Sequence, residues 1–421
     1  MIPKIASLTA REILDSRGNP TVEATVILDD GSKTIASVPS GASVGKYEAL
    51  ELRDEDVNRF EGKGVLKAIE NIEKKIAPKL KHFPIRPQLE IDRLLLELDG
   101  TKNKANLGAN ATLAVSMACC KAAAISKQVS LFQHIADLYG SEAKTLKIPV
   151  PIFNLINGGK HGAGNLDFQE FHIIPSGAKN FFEGLRLAAE IYQATKKVLI
   201  QYQAIHSVGD EGGFAPNLFT NLDALETLKK AIEKTNYRLQ QDVYLGLDVA
   251  ANHFYRTNKY KIKDKTNPLS TSELIDYYTQ LHQEYHLLSL EDPLFEDDWN
   301  SWAILTSKLS DVMIVGDDLL ATNKERLNQG IEKKACNAIL VKPNQIGTVA
   351  ETIEVVKIAK NANWKVVVSH RSGETCDTFI ADFAVGIGAD YVKFGAPARG
   401  ERVVKYNRLV EIENLLKRKT L

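Results

Sequence analysis

The sequence has no surplus charge of either sign. Its 53 Lys and Arg offset 53 Asp and Glu, so it lacks the overall basic field that draws nucleic acid or an anionic membrane surface, and no nucleic-acid partner is indicated. Cysteine is scarce. Cys119, Cys120, Cys336 and Cys376 show no metal-ligand spacing, and adjacent Cys119 and Cys120 would point about 100° apart on a helix, poorly placed to bridge. Reduced, structural cysteines in a cytoplasmic protein are expected. Long apolar runs are missing too. The opening "MIPKIASLTAREILDSRG" has no apolar region of the kind a secretory signal needs. The longest apolar stretch, "ANATLAVSMACCKAAAI", is interrupted by Lys121 and carries polar residues throughout, which suits a packed helix rather than a membrane span. No membrane insertion is expected, and there is no internal repeat or low-complexity tract.

What is present is an ordinary globular composition, 44% hydrophobic and 25% charged over 421 residues, enough for two domains and a large core. The first section reads as α+β. "TVEATVIL" alternates in period two, Asp30-Gly31 offers a hairpin turn, and "SKTIASVP" follows as a second strand. A glycine-rich loop, "SGASVGKYEALELRD", precedes helical runs between about Val57 and Tyr139. The texture changes near residue 140, which predicts an N-terminal α+β domain over 1–139 and a second domain over 140–421. The second contains "VPIFNLI", "FQEFHIIP", "YLGLDVA", "HLLSLED", "VMIVGDD", "AILVKP", "KVVVSH" and "YVKFG". Eight strands largely alternating with helices have the size and rhythm of an α/β (β/α)8 barrel, whose active site lies at the C-terminal strand ends.

Those ends carry Asp248, Glu291, Asp317, Lys342, His370 with Arg371 and Ser372, and Lys393. Polar residues normally terminate buried strands, so any one of them has a plain structural explanation. Three acids followed by a basic set on consecutive strand ends form a constellation. Three converging carboxylates repel one another unless a cation sits between them, and hard oxygen ligands without His or Cys favour Mg²⁺. Asp292 and Asp318 stand beside proposed ligands and point the other way if the strands alternate; sequence alone does not choose within those pairs. Asp297 and Asp298 precede an expected helix at Trp299, where capping accounts for them.

Lys342 ends a short apolar strand, "AILV". Burial and nearby cations would lower its pKa toward the range of a general base, suited to removing a proton next to a carboxylate. Arg371 and Ser372 suit a phosphate, and Lys393 a second anionic group. "SVGDEGGFAPN" sets Asp210 and Glu211 in a glycine-bracketed loop, where a carboxyl group could act as general acid or simply belong to a turn. "NGGKHGAGN" has the look of a mobile lid, with His161 a further donor. "GASVGK" is no phosphate loop, having one residue too few between its glycines and Tyr47 where Ser or Thr is needed.

Across essentially its whole length the chain resembles the enolase family, through "DSRGNPTVE", "PSGAS", "ELRD", "NGGKHGAGNLDFQEF", "GDEGGFAPN", "LGLDVAA", "LEDP", "GDDL", "KPNQIGT" and "SHRSGETCDTFIADFAV". A lysine base beside Mg²⁺ is already known for that superfamily. The resemblance implies reversible dehydration of 2-phosphoglycerate to phosphoenolpyruvate in glycolysis. It implies Asp248, Glu291 and Asp317 as ligands of a tighter Mg²⁺, and Ser40 closing over a second, substrate-associated one. Lys342 would be the base at C2, and Glu211 the acid assisting loss of the C3 hydroxyl. Gln169 and Glu170 would belong to the substrate pocket, Arg371 and Ser372 would hold phosphate, Lys393 the carboxylate side, and His161 and His370 would complete the pocket. The resemblance further implies an antiparallel second barrel strand and a homodimer or homo-octamer. Val44, Phe394 and Gly400 depart from the family's usual threonine, threonine and serine. A related sugar-acid racemase or dehydratase is a competing reading, which the phosphate set and Glu211 oppose. Some enolases resemble surface receptors for host proteins; the basic tail "LLKRKTL" lacks the terminal lysine often linked to that role.

Overall fold

The computed structural model describes residues 2–41, 45–140, 146–162 and 164–419. Val44 lies outside them. Strands β1 (Ile5–Leu14), β2 (Pro20–Leu28) and β3 (Lys33–Ser37) form an antiparallel sheet in that order. The β2–β3 hairpin turns at Asp30-Gly31 as read from the sequence, with Gly31 at φ +85°, a left-handed backbone that glycine adopts without a Cβ clash. β1 is not legible in the sequence pattern. It is an edge strand burying fully only Ile5 and Leu8, too few to mark a period.

Helix Ala109–Ser126 is long and apolar enough to cross a membrane, yet 83% of it is buried inside the protein. Its small side chains let neighbours approach from all round, as a helix apolar on every face requires. Thr34 of β3 donates to the Ala118 carbonyl at 2.9 Å, and Thr112 donates to the Gly347 carbonyl at 2.9 Å. Ser116 Oγ accepts the Val349 amide at 3.0 Å. One helix thus ties the N-terminal sheet to the barrel.

The barrel strands are β4 (Val150–Asn157), β5 (Glu170–Ile174) and β6 (Tyr244–Asp248), then, after a small hairpin of β7 (Tyr255–Arg256) and β8 (Lys259–Tyr260), β9 (Ser289–Glu291), β10 (Met313–Gly316), β11 (Ala338–Val341), β12 (Lys365–Ser369) and β13 (Tyr391–Lys393). They close in the order β10-β11-β12-β13-β4-β5-β6-β9, and each coincides with a strand read from the sequence. β5 is antiparallel to both neighbours while the other pairs run parallel, as the resemblance implied. Ile152, Ile174, Met313, Val315, Ala338, Leu340 and Val367 form an apolar cluster within the barrel, a packed core rather than a pore.

Register sets what lies at the rim. Asp248 pairs across from Glu291 on one side and Glu170 on the other. Because β5 runs against its neighbours, its first residue reaches the same rim as their last. Lys393 ends β13 opposite Ser369. Asp298 caps helix Trp299–Lys308 by accepting the Ser301 amide at 3.3 Å. Its neighbour Asp297 instead accepts the Tyr47 hydroxyl at 2.8 Å and lies 3.3 Å from Arg326.

Candidate active site

One pocket at the barrel mouth is lined by His161, Gln169, Glu170, Glu211, Asp248, Asp317, Lys342, His370, Arg371, Ser372 and Lys393 among others. Its free space is only about 40 Å³, enough for a few waters, because ion pairs fill it. Glu291 is held just beneath by Lys393. The Lys393 ammonium lies 2.8 and 2.9 Å from the two Glu291 oxygens, and 3.3 Å from both Asp248 and Glu170. One ammonium cannot neutralise three buried acids. Burial, with Asp248 beside it, pushes Glu291 well above the usual carboxylate range. Burial likewise raises Asp248 despite Lys393. Burial also works against Glu170, but Lys393, His161 and His172 together hold it well below its ordinary value. The Gln169 side-chain oxygen is buried without a hydrogen-bond partner. Hard oxygen donors short of positive charge, with an unpartnered carbonyl oxygen nearby, fit a divalent cation.

Among the described residues, the potential ligand atoms lying within 4.8 Å of one another form two sets, His161–Glu170–Glu211 and Asp292–Asp317–Asp318. The triad of Asp248, Glu291 and Asp317 is not one of them, since lysines stand among its members. Asp292 supports the end of the neighbouring strand. Its carboxylate accepts the amides of Asp317 at 2.9 Å and Asp318 at 2.7 Å, fixing the β10 end so that Asp317 turns toward Lys342. Asp318 turns to Asn252 at 3.0 Å.

Lys342 departs from expectation. Burial does oppose its charge, and Arg371 and Lys393 add to that, but the Asp317 carboxylate at 2.5 Å outweighs them and raises its pKa above the ordinary value. Asp317 is held ionised by the same pair against the pull of burial. In this arrangement Lys342 is a protonated counter-ion.

Glu211 stands opposite the lysines. Asn154 donates to it at 3.0 Å, and His161 and His370 lie 3.4 and 3.5 Å away. Burial and Glu170 push its pKa up, yet His161 and His370 bring it down to about 2. His161 is disfavoured as a cation by burial, but Glu211 and its 3.1 Å contact with Glu170 raise its pKa. The turn before Glu211 requires glycine: a Cβ on Gly209 would lie 2.3 Å from Asn157 Nδ2 and 2.5 Å from the His161 carbonyl.

Arg371 faces Glu48, with Nη1 2.8 Å from its carboxylate, and burial is outweighed by that carboxylate, so its pKa is raised. Glu48 comes from the "SGASVGKYEALELRD" loop and was not singled out from the sequence. Nothing local distinguishes it from any loop acid. Ser40 does not line the pocket. It is buried, donating to Glu51 at 3.2 Å and accepting from Arg53 at 2.8 Å; the loop's other serine, Ser43, lies outside the described residues. Asn154 and Arg402 were also missed. The first had a signal, a lone amide within the apolar run of β4. Of the departures, Phe394 is buried against Tyr406, their rings 5.8 Å apart. A side chain at Gly400 would meet open space, so serine there would fit equally. Cys119, Cys120 and Cys336 are buried and free as expected, but Cys376 is exposed and fills no core.

Residues 5–135 match the family model "Enolase, N-terminal domain", and residues 145–421 match "Enolase, C-terminal TIM barrel domain". The chain is 51% identical over 410 residues to the enolase of a Nitratiruptor species, covering 97% of this chain and 96% of that protein. With acids, lysines and an arginine fork on the rim of a barrel whose second strand runs antiparallel, the chain belongs to the enolase family.

Proposed function

We propose that this rim dehydrates 2-phosphoglycerate reversibly to phosphoenolpyruvate, with Lys342 taking the C2 proton and Glu211 assisting departure of the C3 hydroxyl. The observation that carries the reading is that a lysine and a carboxylate with separate partner sets line one small pocket beside an arginine fork. Asp248, Glu291 and Asp317 are the ligand set for a first Mg²⁺. When bound, such a cation supplies Lewis-acid stabilisation of the enediolate and the positive charge that Lys342 and Lys393 now provide. A second Mg²⁺ accompanies substrate in this reading, and for Ser40 to close over it the hydroxyl must leave Glu51 and Arg53.

The chain's own groups do the rest. Arg371 and Ser372 hold the phosphate, and Lys393 faces the carboxylate side. Gln169, Glu170, His161 and His370 complete the pocket. Lys342 is an acceptor only after it sheds the proton that Asp317 now stabilises. Glu211, held near 2, is a carboxylate and needs a proton to serve as acid; His161 and His370 are the two rings beside it, at 3.4 and 3.5 Å. Enol absorbance should grow when 2-phosphoglycerate is added with Mg²⁺ and stay flat in EDTA. No product from folded, Mg²⁺-loaded protein would overturn the reading.

Glu48 makes the phosphate assignment testable. Its carboxylate sits on Arg371 where a phosphate oxygen would, and substrate must displace it. Glu48→Gln is expected to tighten binding of inorganic phosphate by about tenfold or more, since one charge-assisted hydrogen bond is worth roughly 1.5–3 kcal/mol. Calorimetry with phosphate reads this directly; unchanged affinity would place the anion elsewhere.

The reading includes a division into a capping domain, 1–139, over a barrel domain, 140–421, in a cytoplasmic homo-oligomer. Leu14, Ile35, Ile125 and Val129 are exposed around two surface clefts that share Ile35, Lys121 and Thr378. Clustered apolar side chains of this kind favour a second subunit.

A further inference from the structure

Arg402 lies in the first turn of the last helix, Gly400–Lys419, and its side chain is fully buried. A buried guanidinium needs partners for its donors, and those of its two Nη atoms go to three loops and a ring nitrogen, while Nε is without a hydrogen-bond partner and lies 3.3 Å from Glu401. Nη1 donates to the Arg371 carbonyl at 2.6 Å and lies 2.7 Å from His370 Nδ1. Nη2 donates to the Ser372 carbonyl at 2.5 Å, the Asp210 carbonyl at 3.0 Å and Ser16 Oγ at 3.3 Å. The residues flanking the proposed acid and the proposed phosphate site are therefore held by one side chain.

The His370 contact has a definite chemical meaning. Guanidinium has no acceptor, so across that 2.7 Å contact Nδ1 must present its lone pair. A neutral His370 then carries its proton on Nε2. That atom is buried without a hydrogen-bond partner, 3.5 Å from Glu211 Oε2, on the pocket side. The packing leaves no slack. A Cβ on Gly395, at φ +88°, would lie 2.7 Å from the Glu211 carbonyl, 2.9 Å from His370 Cε1 and 3.1 Å from Arg402 Cδ. The Tyr406 hydroxyl donates to the Gly395 carbonyl at 2.7 Å and holds that strand end in place.

We propose that Arg402 is a positioning residue of the reaction: its guanidinium fixes His370 in the Nε2–H tautomer, aimed at Glu211, and locks the Asp210 and Arg371–Ser372 backbones at one spacing. The charged groups facing His370 are Glu211, Glu170 and Arg402. Burial favours its neutral form and Arg402 adds to this, against the two acids. Second-sphere partners of this kind fix tautomer and orientation elsewhere, and losing one typically costs about 10–100-fold in activity.

The effect on rate rests on the dehydration reading, but the tautomer does not, so the experiment reads it separately. The chain has nine histidines. With ¹⁵N-histidine labelling, a two-bond ¹⁵N–¹H correlation spectrum assigned with His370→Asn should show His370 as the neutral Nε2–H form at pH 7. An Nδ1–H or doubly protonated ring in the wild-type protein would overturn the proposal. Arg402→Lys keeps the charge but cannot span the three carbonyls. It should lower kcat by about 10–100-fold and replace the single tautomer by a mixture. In a His370→Asn background the same substitution should cost far less. An equal cost in both backgrounds would show that Arg402 does not act through His370. Should Arg402→Lys fail to fold, the wild-type spectrum still decides the tautomer.

Discussion

Replacing Lys342 by alanine should lower kcat on the order of 10²–10⁴-fold, the usual contribution of a positioned general base, and should abolish exchange of the substrate's C2 proton with solvent deuterium. Glu211→Gln should be equally poor at forming enol product yet retain that exchange, because in the proposed reading proton removal at C2 comes first and needs no acid. The pair separates two half-reactions that a rate alone would merge. Their surroundings argue for the division. Lys342 is bracketed by Asp317, Arg371 and Lys393, while Glu211 answers to His161, His370 and Asn154. Proton exchange by mass spectrometry and product by absorbance are measured on the same samples. Exchange persisting in Lys342→Ala would move the base to another group; exchange lost in Glu211→Gln would merge the two roles.

The architecture was readable because each barrel strand is a short apolar run ending in a polar residue, and the C-terminal ends of such strands share one rim. The antiparallel β5 could not be read from periodicity, since "FQEFHIIP" looks the same in either direction; only the family resemblance supplied it. Position on the rim was legible for Asp248, Glu291, Asp317, Lys342 and Lys393. Their protonation was not. A lysine among cations and buried walls should fall in pKa, but Asp317 pairs with Lys342 at 2.5 Å and reverses the sign. Contacts between residues well separated in the chain were equally hidden, 323 positions apart in one case and 32 in the other. Glu48 reaches Arg371, and Arg402 reaches His370, through the closure of the barrel and the sheet above it. In sequence one is a loop acid and the other a basic residue at the start of a helix.

The same closure brings two buried lysines among the acids concentrated here. Lys342 and Lys393 serve as internal counter-ions, each on acids proposed as ligands. In the proposed reading a divalent cation held by these acids would supply the positive charge that the two lysines contribute here.

Lys393→Met should therefore destabilise the metal-free protein strongly at neutral pH. It removes an ammonium within 3.3 Å of Glu291, Asp248 and Glu170. Leaving a buried charge without its partner costs about 3–5 kcal/mol. The pH dependence follows from sign. Burial, Asp248 and Asp317 already raise Glu291 well above 4.5, with Lys393 the counterweight. Without that counterweight its folded pKa rises further above the unfolded value. Such a group binds its proton more tightly in the folded state, so stability is fully present below about 4.5 and is lost as pH rises through the folded pKa. Denaturation midpoints in EDTA should show the Lys393→Met deficit largest near pH 7 and shrinking toward pH 5. Added Mg²⁺ should narrow it at pH 7 by supplying the missing positive charge to the same oxygens. A deficit indifferent to both pH and Mg²⁺ would mean that lost packing, and not uncompensated carboxylates, sets the cost.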